Sequence, residues 1–188
     1  NPNTALNNFA WTTGGNSGTD PNTNFIGTSD NADLVFKRGG VLAGRIRGNH
    51  SVYFGYESNL NAAGVNNAAF GTGTLRSNAT GNNNAAFGSG ALSSNVSGSF
   101  NTGIGNGALT SNTTGGRNVA VGESASHENT IGVGNVSVGS QASYSNTSGN
   151  YNSSMGFRAL FNNITGLNNT GALIGFMDDG IVSQTYSS

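Results

Sequence analysis

The sequence predicts an all-β protein, a parallel β-solenoid of 17-residue coils that is preceded by a small β-rich cap. Gly and Asn recur in four columns with a 17-residue period over six copies. Each copy holds a short segment in which bulky and small side chains alternate, which is the period of a β-strand. Gly recurs too often for helices, and no 3.6-residue periodicity is present. Because one short strand cannot bury its apolar face alone, stacked copies are needed to build a core.

The composition indicates order that is maintained by repetition. The 188 residues include 31 Gly and 31 Asn, and only 8% of them are charged, against about 25% in ordinary domains. Disordered chains usually carry a high net charge, whereas this chain has a formal net charge of −1. Hydrophobic residues reach 34%, too few for a thick core. Backbone ladders and Asn side chains are therefore expected to provide hydrogen-bond partners for many of the polar groups.

Charge and cysteine content limit the possible partners. A net charge near zero gives no electrostatic reason to expect nucleic acid or an anionic membrane. No apolar run approaches the length of a membrane-spanning helix, roughly 18 residues, so no membrane insertion is expected from this segment. The absence of Cys excludes disulfides and thiolate metal sites. We also expect no cofactor.

Residues 1–50 are predicted to form a β-rich cap or connector. They contain Trp11, both Pro residues and a cluster of basic residues. The segment DLVFKRGGVLAGRI is predicted to be a β-hairpin with Gly39–Gly40 at the turn. A cap is expected because an exposed terminal coil would template aggregation.

Residues 51–173 are predicted to form the repeat array. Each copy opens with N-x-a-Φ-G, where Φ is bulky and apolar, and this segment is predicted to be the first strand. Phe70 and Phe87 occupy the Φ position and are expected in the core. A second strand is predicted around Ala91–Leu92 and its equivalents, and the N-x-T/S-G element is predicted to be a turn. The 17-residue columns run from Gly71 to Gly156, Gly81 to Gly166, Asn84 to Asn169 and Asn78 to Asn163.

Two irregularities bound the array. Phe54–Gly55 precedes Phe70–Gly71 by a 16-residue step, one position short of the regular period. After Asn169, Ile174–Gly175 is displaced from the expected register, so residues 174–188 are predicted to be an exit segment. Between these limits, the stacked Asn columns are expected to hydrogen-bond to one another as ladders.

The repeat resembles the head repeat of the YadA-like trimeric autotransporter adhesins. The matching segments are NAAFG at 67–71 and 84–88, NTGIG at 101–105, NVAVG at 118–122 and NVSVG at 135–139. The longer form ALxxNTTGxxNxAxG, with the opening WTTGG, also resembles phage tail-fibre proteins and Bacteroidetes surface proteins that end in an endosialidase-type chaperone. The family's usual coil is a few residues shorter, and the extra residues are expected to widen the N-x-T-G turn.

The resemblance implies a left-handed parallel β-roll that assembles as a homotrimer around one axis. It also implies an extracellular location, on a bacterial cell surface or a phage virion. In proteins with such a chaperone the chain is processed, so Ser187–Ser188 is a candidate processing point.

Residues for catalysis or metal binding are few. Glu123 and Glu128 share one coil, but a glycosidase needs two carboxylates about 5–10 Å apart in a cleft. His127 lacks the second His or Cys that a metal site usually has. Asp178–Asp179 offers either a cation ligand pair or a plain turn. The N-x-S/T sequons keep the 17-residue register, which favours turn structure over glycosylation: Asn78, Asn95, Asn112, Asn146 and Asn163. We predict no catalytic, cofactor or metal site.

A candidate recognition surface is formed by residues outside the Φ column. The aromatic candidates are Tyr144, Tyr151 and Phe161, which have the chemistry to stack on sugars or on a neighbouring subunit. The basic candidates are suited to an acidic glycan or a subunit contact, or they are a solvated hairpin face: Lys37, Arg38, Arg45 and Arg47.

These observations predict a non-enzymatic, structural and adhesive fibre segment whose partners are its own copies and a glycan or protein receptor. Two alternatives stay open. A monomeric solenoid that binds ice or polysaccharide needs a regular Thr column, and here Ser97, Ile131 and Ser148 interrupt it. A tailspike-type depolymerase needs a convincing carboxylate pair, which the sequence does not offer.

Overall fold

The structure, a computed structural model, describes residues 26–59 and 63–172. These residues form one ten-stranded sheet in chain order and contain no helix. The all-β solenoid with 17-residue coils predicted from the sequence is confirmed. The strands are β1 Leu34–Arg38, β2 Val41–Ile46, β3 Val52–Phe54, β4 Ala68–Phe70, β5 Ala85–Phe87, β6 Thr102–Ile104, β7 Val119–Val121, β8 Val136–Val138, β9 Ser153–Met155 and β10 Thr170–Ala172.

The predicted hairpin is present and continues directly into the solenoid. β1 and β2 are antiparallel, and the φ angles of +56° at Gly39 and +81° at Gly40 are those of a tight turn that needs glycine. β2 also pairs antiparallel with β3, the first strand of the array. The hairpin is therefore the first layer of the same sheet. Trp11 and the rest of the predicted cap before residue 26 lie outside the described residues, as does the exit segment.

From β3 onward every strand is parallel to the next, and equivalent residues pair. Ala85 pairs with Thr102, which pairs with Val119, in 17-residue steps. The single 16-residue step joins β3 to β4, where Val52 pairs with Ala68. Since parallel strands lie about 4.8 Å apart, each coil advances the solenoid by that distance.

From β4 onward the core contains the small residue at the middle of each strand, and the bulky Φ residue faces outward. Ala69 and Ala86 are completely buried, whereas Phe70 and Phe87 are 38% and 40% exposed. The expectation that Phe70 and Phe87 are core residues is wrong. The interior of a 17-residue coil is narrow, and the neighbouring wall already fills it with the buried Leu92, so the strand centres from β4 onward are Ala, Gly or Ser.

Core residues on facing walls compensate for each other in size. The residue 11 positions before the strand centre packs across the core, and a Cβ on Gly103 would lie 3.4 Å from Leu92 Cγ. Where the wall residue is Leu, the strand centre is Ala or Gly. Where the wall residue is Ser126, its hydroxyl lies 2.7 Å from that of Ser137, so both buried hydroxyls have a partner. The next coil repeats this device with Ser143 and Ser154 at 2.9 Å.

Ser137→Ala is expected to lower the free energy of unfolding by about 1–2 kcal/mol, because it leaves the Ser126 hydroxyl buried without its partner. The double variant Ser126→Leu/Ser137→Ala recreates the Leu109–Ala120 pair of the preceding coil. It is expected to recover the lost stability in urea denaturation. A double variant less stable than Ser137→Ala would contradict the pairing.

The predicted second strand is wrong: the segment around Ala91–Leu92 is a series of turns. The φ angles are positive at Gly88, Gly90 and Leu92, so every second residue is left-handed and the chain cannot extend. Stacking satisfies the backbone in spite of this, since Leu92 N–H donates to Ala108 O of the next coil at 3.0 Å. Burial of the Leu side chain offsets the cost of its left-handed backbone, about 1–2 kcal/mol.

Both predicted Asn ladders are confirmed. In one column, Asn112 Nδ2 donates to Asn95 Oδ1 of the preceding coil at 2.8 Å and to Gly115 O of its own turn at 3.0 Å. In the other, Asn101 Oδ1 accepts from Asn118 N–H at 3.0 Å, and Asn101 Nδ2 donates to Gly115 O at 2.8 Å. The amides therefore join successive coils and close the N-x-T/S-G turn within each coil.

Asn112→Asp is expected to lower the free energy of unfolding by about 3 kcal/mol. The side chain is fully buried, and the substitution points a carboxylate oxygen at two acceptors in place of the donor. Asn106→Asp, at an exposed position of the same coil, is the matched control and is expected to change stability by less than about 0.5 kcal/mol. Equal losses in denaturant titrations of the two variants would show that the buried Asn column does not stabilise the solenoid.

Candidate interaction surfaces

The outer face of the sheet is a long surface of mostly apolar side chains. It consists of two columns of outward side chains, joined across the strands by the sheet register. The first column contains Leu34, Ile46, Val52, Ala68, Ala85, Thr102, Val119, Val136, Ser153 and Thr170. The second, the Φ column, contains Phe36, Gly44, Phe54, Phe70, Phe87, Ile104, Val121, Val138, Met155 and Ala172.

Aromatic rings stack along the first half of the Φ column. The ring centroids are 5.2 Å apart for Phe36 and Phe54, 5.7 Å for Phe54 and Phe70, and 5.1 Å for Phe70 and Phe87. The Phe54 ring lies over Gly44, where a Cβ would come within 2.3 Å of it. Such contacts contribute about 0.5–1.5 kcal/mol each, but they leave the ring edges and the aliphatic residues beyond them open to solvent.

Two of the three predicted aromatic candidates lie together, and the third is on another column. Tyr144 stacks between His127 and Phe161 with centroid distances of 5.0 and 5.2 Å, and the Arg158 guanidinium lies 4.2 Å above the Phe161 ring. These side chains stack along the turn segment that follows the strands. Tyr151 precedes β9 and is 64% exposed. The candidates therefore form two separate surfaces.

The basic candidates also divide into two pairs. Arg45 Nε and Arg47 Nε lie 3.6 and 3.5 Å from Asp33 Oδ2. Arg45 pairs with Tyr53 in the sheet. Arg45 therefore lies on the core side at the N-terminal end of the solenoid and helps to cover the first coil. Lys37 and Arg38 are exposed beside the hairpin turn. The charge available to a ligand at this end is therefore concentrated in Lys37 and Arg38.

The titratable residues of the array are dispersed over its surface. Glu128 Oε1 lies 2.8 Å from His127 Nδ1, while Glu123 is exposed on the turn that follows β7. Within residues 26–59 and 63–172, no cluster of three or more His, Asp or Glu side chains could hold a metal ion. Asp178–Asp179 lies outside the described residues.

The sequons are part of the turns, as predicted. Asn78, Asn95, Asn112 and Asn146 are at most 1% exposed. Their amide groups donate to the Gly carbonyl three residues later, at 3.0, 2.9, 3.0 and 3.1 Å. Asn163, at the C-terminal end of the ladder, is partly exposed and accepts from Gly166 N–H at 3.2 Å. The amide nitrogens of the four buried residues are already used to hold the turns.

Sequence reasoning missed the outer face because alternation shows that a strand has two faces without showing which one is inside. The signal that identifies the inner face is the uniformly small middle residue: Ala69, Ala86, Gly103, Ala120, Ser137, Ser154 and Gly171.

Comparisons of the chain with protein-family models, with curated proteins and with solved structures find no match. The part of the chain that the structure describes has no helix that could span a membrane.

Proposed function

We propose that this chain is a rod-like structural and adhesive segment of an extracellular fibre, in which three copies pack their outer faces around a common axis. The fibre extends from a bacterial cell surface or a phage virion and holds a receptor-binding surface away from it. The location, the number of copies and the adhesive role rest on the resemblance of the repeat to trimeric adhesin heads and tail-fibre proteins.

The observation that carries the proposal is the exposed, continuous apolar outer face. Phe70, Phe87 and Ile104 are 38%, 40% and 41% exposed in one chain, and Met155 is 63% exposed. Ten strands spaced about 4.8 Å apart extend this face over about 40 Å. Contiguous apolar surface of such length mostly marks an interaction site. Its regular spacing fits an equally regular partner, and a further copy of the same solenoid has that spacing.

A rod built in this way has a mechanical function. The two Asn ladders and the inter-coil backbone hydrogen bonds run the length of the array, so one coil cannot move without breaking contacts to its neighbours. Three copies present three equal receptor-binding surfaces to solvent, and simultaneous binding raises avidity by about 10²–10⁴ over one site. Tyr144 with Phe161, and Lys37 with Arg38, are the surfaces we propose for a glycan or protein receptor, and we propose Tyr151 for a contact between copies.

The test is an adhesion assay combined with electron microscopy. Negatively stained particles are expected to be straight rods, and beads coated with the protein are expected to bind a subset of an array of surface glycans and cell-surface proteins. Tyr144→Ala/Phe161→Ala should reduce that binding without changing the rods.

Globular particles would overturn the proposal of a fibre. Rods with thermal hysteresis, or with release of oligosaccharide that Glu123→Gln abolishes, would instead support the ice-binding or depolymerase alternative.

A further inference from the structure

Two columns of side chains border the outer face, one on each side of the strands. The leading edge is the residue two positions before each strand: His50, Asn66, Asn83, Phe100, Arg117, Gly134, Tyr151 and Asn168. The trailing edge is the residue two positions after each strand: Tyr56, Thr72, Ser89, Asn106, Glu123, Ser140 and Phe157.

The edges project from the solenoid and carry the aromatic side chains with the highest exposure among the described residues. Every leading-edge residue has a positive φ, including +62° at Phe100 and +56° at Tyr151, so each marks a corner of the coil. Phe100 and Tyr151 are 56% and 64% exposed on the leading edge, and Tyr56 and Phe157 are 56% and 63% exposed on the trailing edge. A left-handed backbone at Phe, Arg and Tyr costs about 1–2 kcal/mol each, and neither edge packs on the core.

A cyclic assembly brings these edges together. When copies share an axis, run in the same direction and turn their outer faces inward, the leading edge of each copy adjoins the trailing edge of the next. With no axial shift between copies, the residues that meet belong to the same coil, because one coil corresponds to only about 4.8 Å along the axis.

The side chains that such an arrangement brings together are complementary. Arg117 and Glu123 belong to one coil and are the only leading-edge Arg and the only trailing-edge carboxylate. The aromatic residues also coincide, since Tyr151 is level with Phe157 and His50 with Tyr56. Polar or small pairs occupy most remaining levels, Asn66 with Thr72, Asn83 with Ser89 and Gly134 with Ser140. Phe100 faces Asn106 and is the exception, and the Arg117 guanidinium lies 5.8 Å above its ring.

Arg117 and Glu123 do not pair with each other within one chain. Five residues that include the extended strand β7 lie between them, so their Cα atoms are at most about 20 Å apart, and neither forms an ion pair among the described residues. An axial shift of one coil would place Arg117 beside Asn106 or Ser140 instead of Glu123. Of the possible registers, the unshifted one pairs the charges.

We infer that Arg117 of one copy pairs with Glu123 of the next, and that this contact, with Tyr151 against Phe157, fixes the copies parallel and in axial register. The inference rests on the proposed oligomer and specifies its geometry. The partner is a second copy of this chain, bound edge to edge beside the buried outer faces.

The chain lacks Cys, so cysteine cross-linking reads the register directly. Arg117→Cys/Glu123→Cys is expected to give a covalent three-chain band after treatment with a short bismaleimide cross-linker, since an ion-paired Arg and Glu hold their Cβ atoms farther apart than the roughly 4.5 Å that a disulfide requires. Arg117→Cys/Ser89→Cys, whose second Cys lies two coils or about 10 Å away along the axis, is the matched control and should remain single-chain.

Charge reversal provides a second, independent readout. Arg117→Glu places like charges together at every contact and is expected to raise the concentration at which the oligomer dissociates at least about tenfold. Arg117→Glu/Glu123→Arg restores opposite charges and should recover the parent value.

The outcomes separate this inference from the proposed function. Trimers that neither cross-link through positions 117 and 123 nor respond to charge reversal would overturn the edge pairing and leave the trimeric fibre standing. A folded parent chain that sediments as a monomer would overturn both. Cross-linking by the control variant as well as by the test variant would show that the copies have no fixed register, and would also overturn the inference.

Discussion

Gly88→Ala is expected to lower the free energy of unfolding by about 3 kcal/mol or more, a large loss for the addition of one methyl group. The φ of Gly88 is +121°, a conformation that L side chains rarely adopt, and an added Cβ would lie 2.6 Å from Gly105 O. Gly105 is the equivalent residue of the next coil, and its own Cβ position is blocked in the same way by Gly122. The clash is with backbone, so it is relieved only when two coils separate.

Gly90→Ala is the matched control for this substitution. Gly90 is two residues away on the same turn, with a φ of +70°, but an added Cβ would meet nothing within 4 Å. It should therefore cost only the left-handed backbone penalty, about 1–2 kcal/mol. Urea denaturation followed by circular dichroism measures both variants. Equal losses for the two would mean that the glycine column is required for backbone freedom alone and not for close stacking of the coils.

The second large effect is expected on assembly. Phe87→Asp/Ile104→Asp should convert the proposed trimer to folded monomers, because three copies would bring six carboxylates to a closed apolar interface, where unpaired charge costs several kcal/mol each. In the single chain both side chains are about two-fifths exposed, at 40% and 41%. The substitutions should therefore leave the coil intact. Adhesion should fall by about 100-fold or more with the loss of multivalency.

Ser77→Asp/Asn162→Asp supplies the control, since both positions are exposed on the segment that lies across the core from the strands. It adds the same charge and is expected to remain trimeric with unchanged adhesion. Sedimentation velocity with circular dichroism separates assembly from folding. A Phe87→Asp/Ile104→Asp chain that stays trimeric would show that the outer face is not the interface.

The features that depend on stacking were predictable from the sequence. The 17-residue period reveals the coil length because each residue meets its own equivalent in the next coil. The Asn112 and Asn101 ladders follow from the same repetition. The single 16-residue step at Phe54 and Phe70 is also present in the strand pairing.

The features that depend on the cross-section of the coil were not predictable from the period. Which strand face turns inward depends on how wide the closed coil is, and the sequence pattern does not encode that width directly. Phe87 was therefore expected in the core. Leu92 was expected in a strand because local propensity does not report burial or inter-coil hydrogen bonds. Those two effects stabilise the left-handed backbone that Leu92 has instead. Arg117 and Glu123 lie at the same level of the solenoid, on either side of one strand. This is seen only when the two corners of the coil that border the strand are located.

The mass of the native particle in dilute solution decides whether further copies cover the outer face. In-register coils leave one long apolar face, and we propose that further copies cover it, so sedimentation equilibrium should give the mass of three 18.9 kDa chains, in straight rods. A single-chain mass, from protein with the β-sheet spectrum of the folded solenoid, would contradict this proposal.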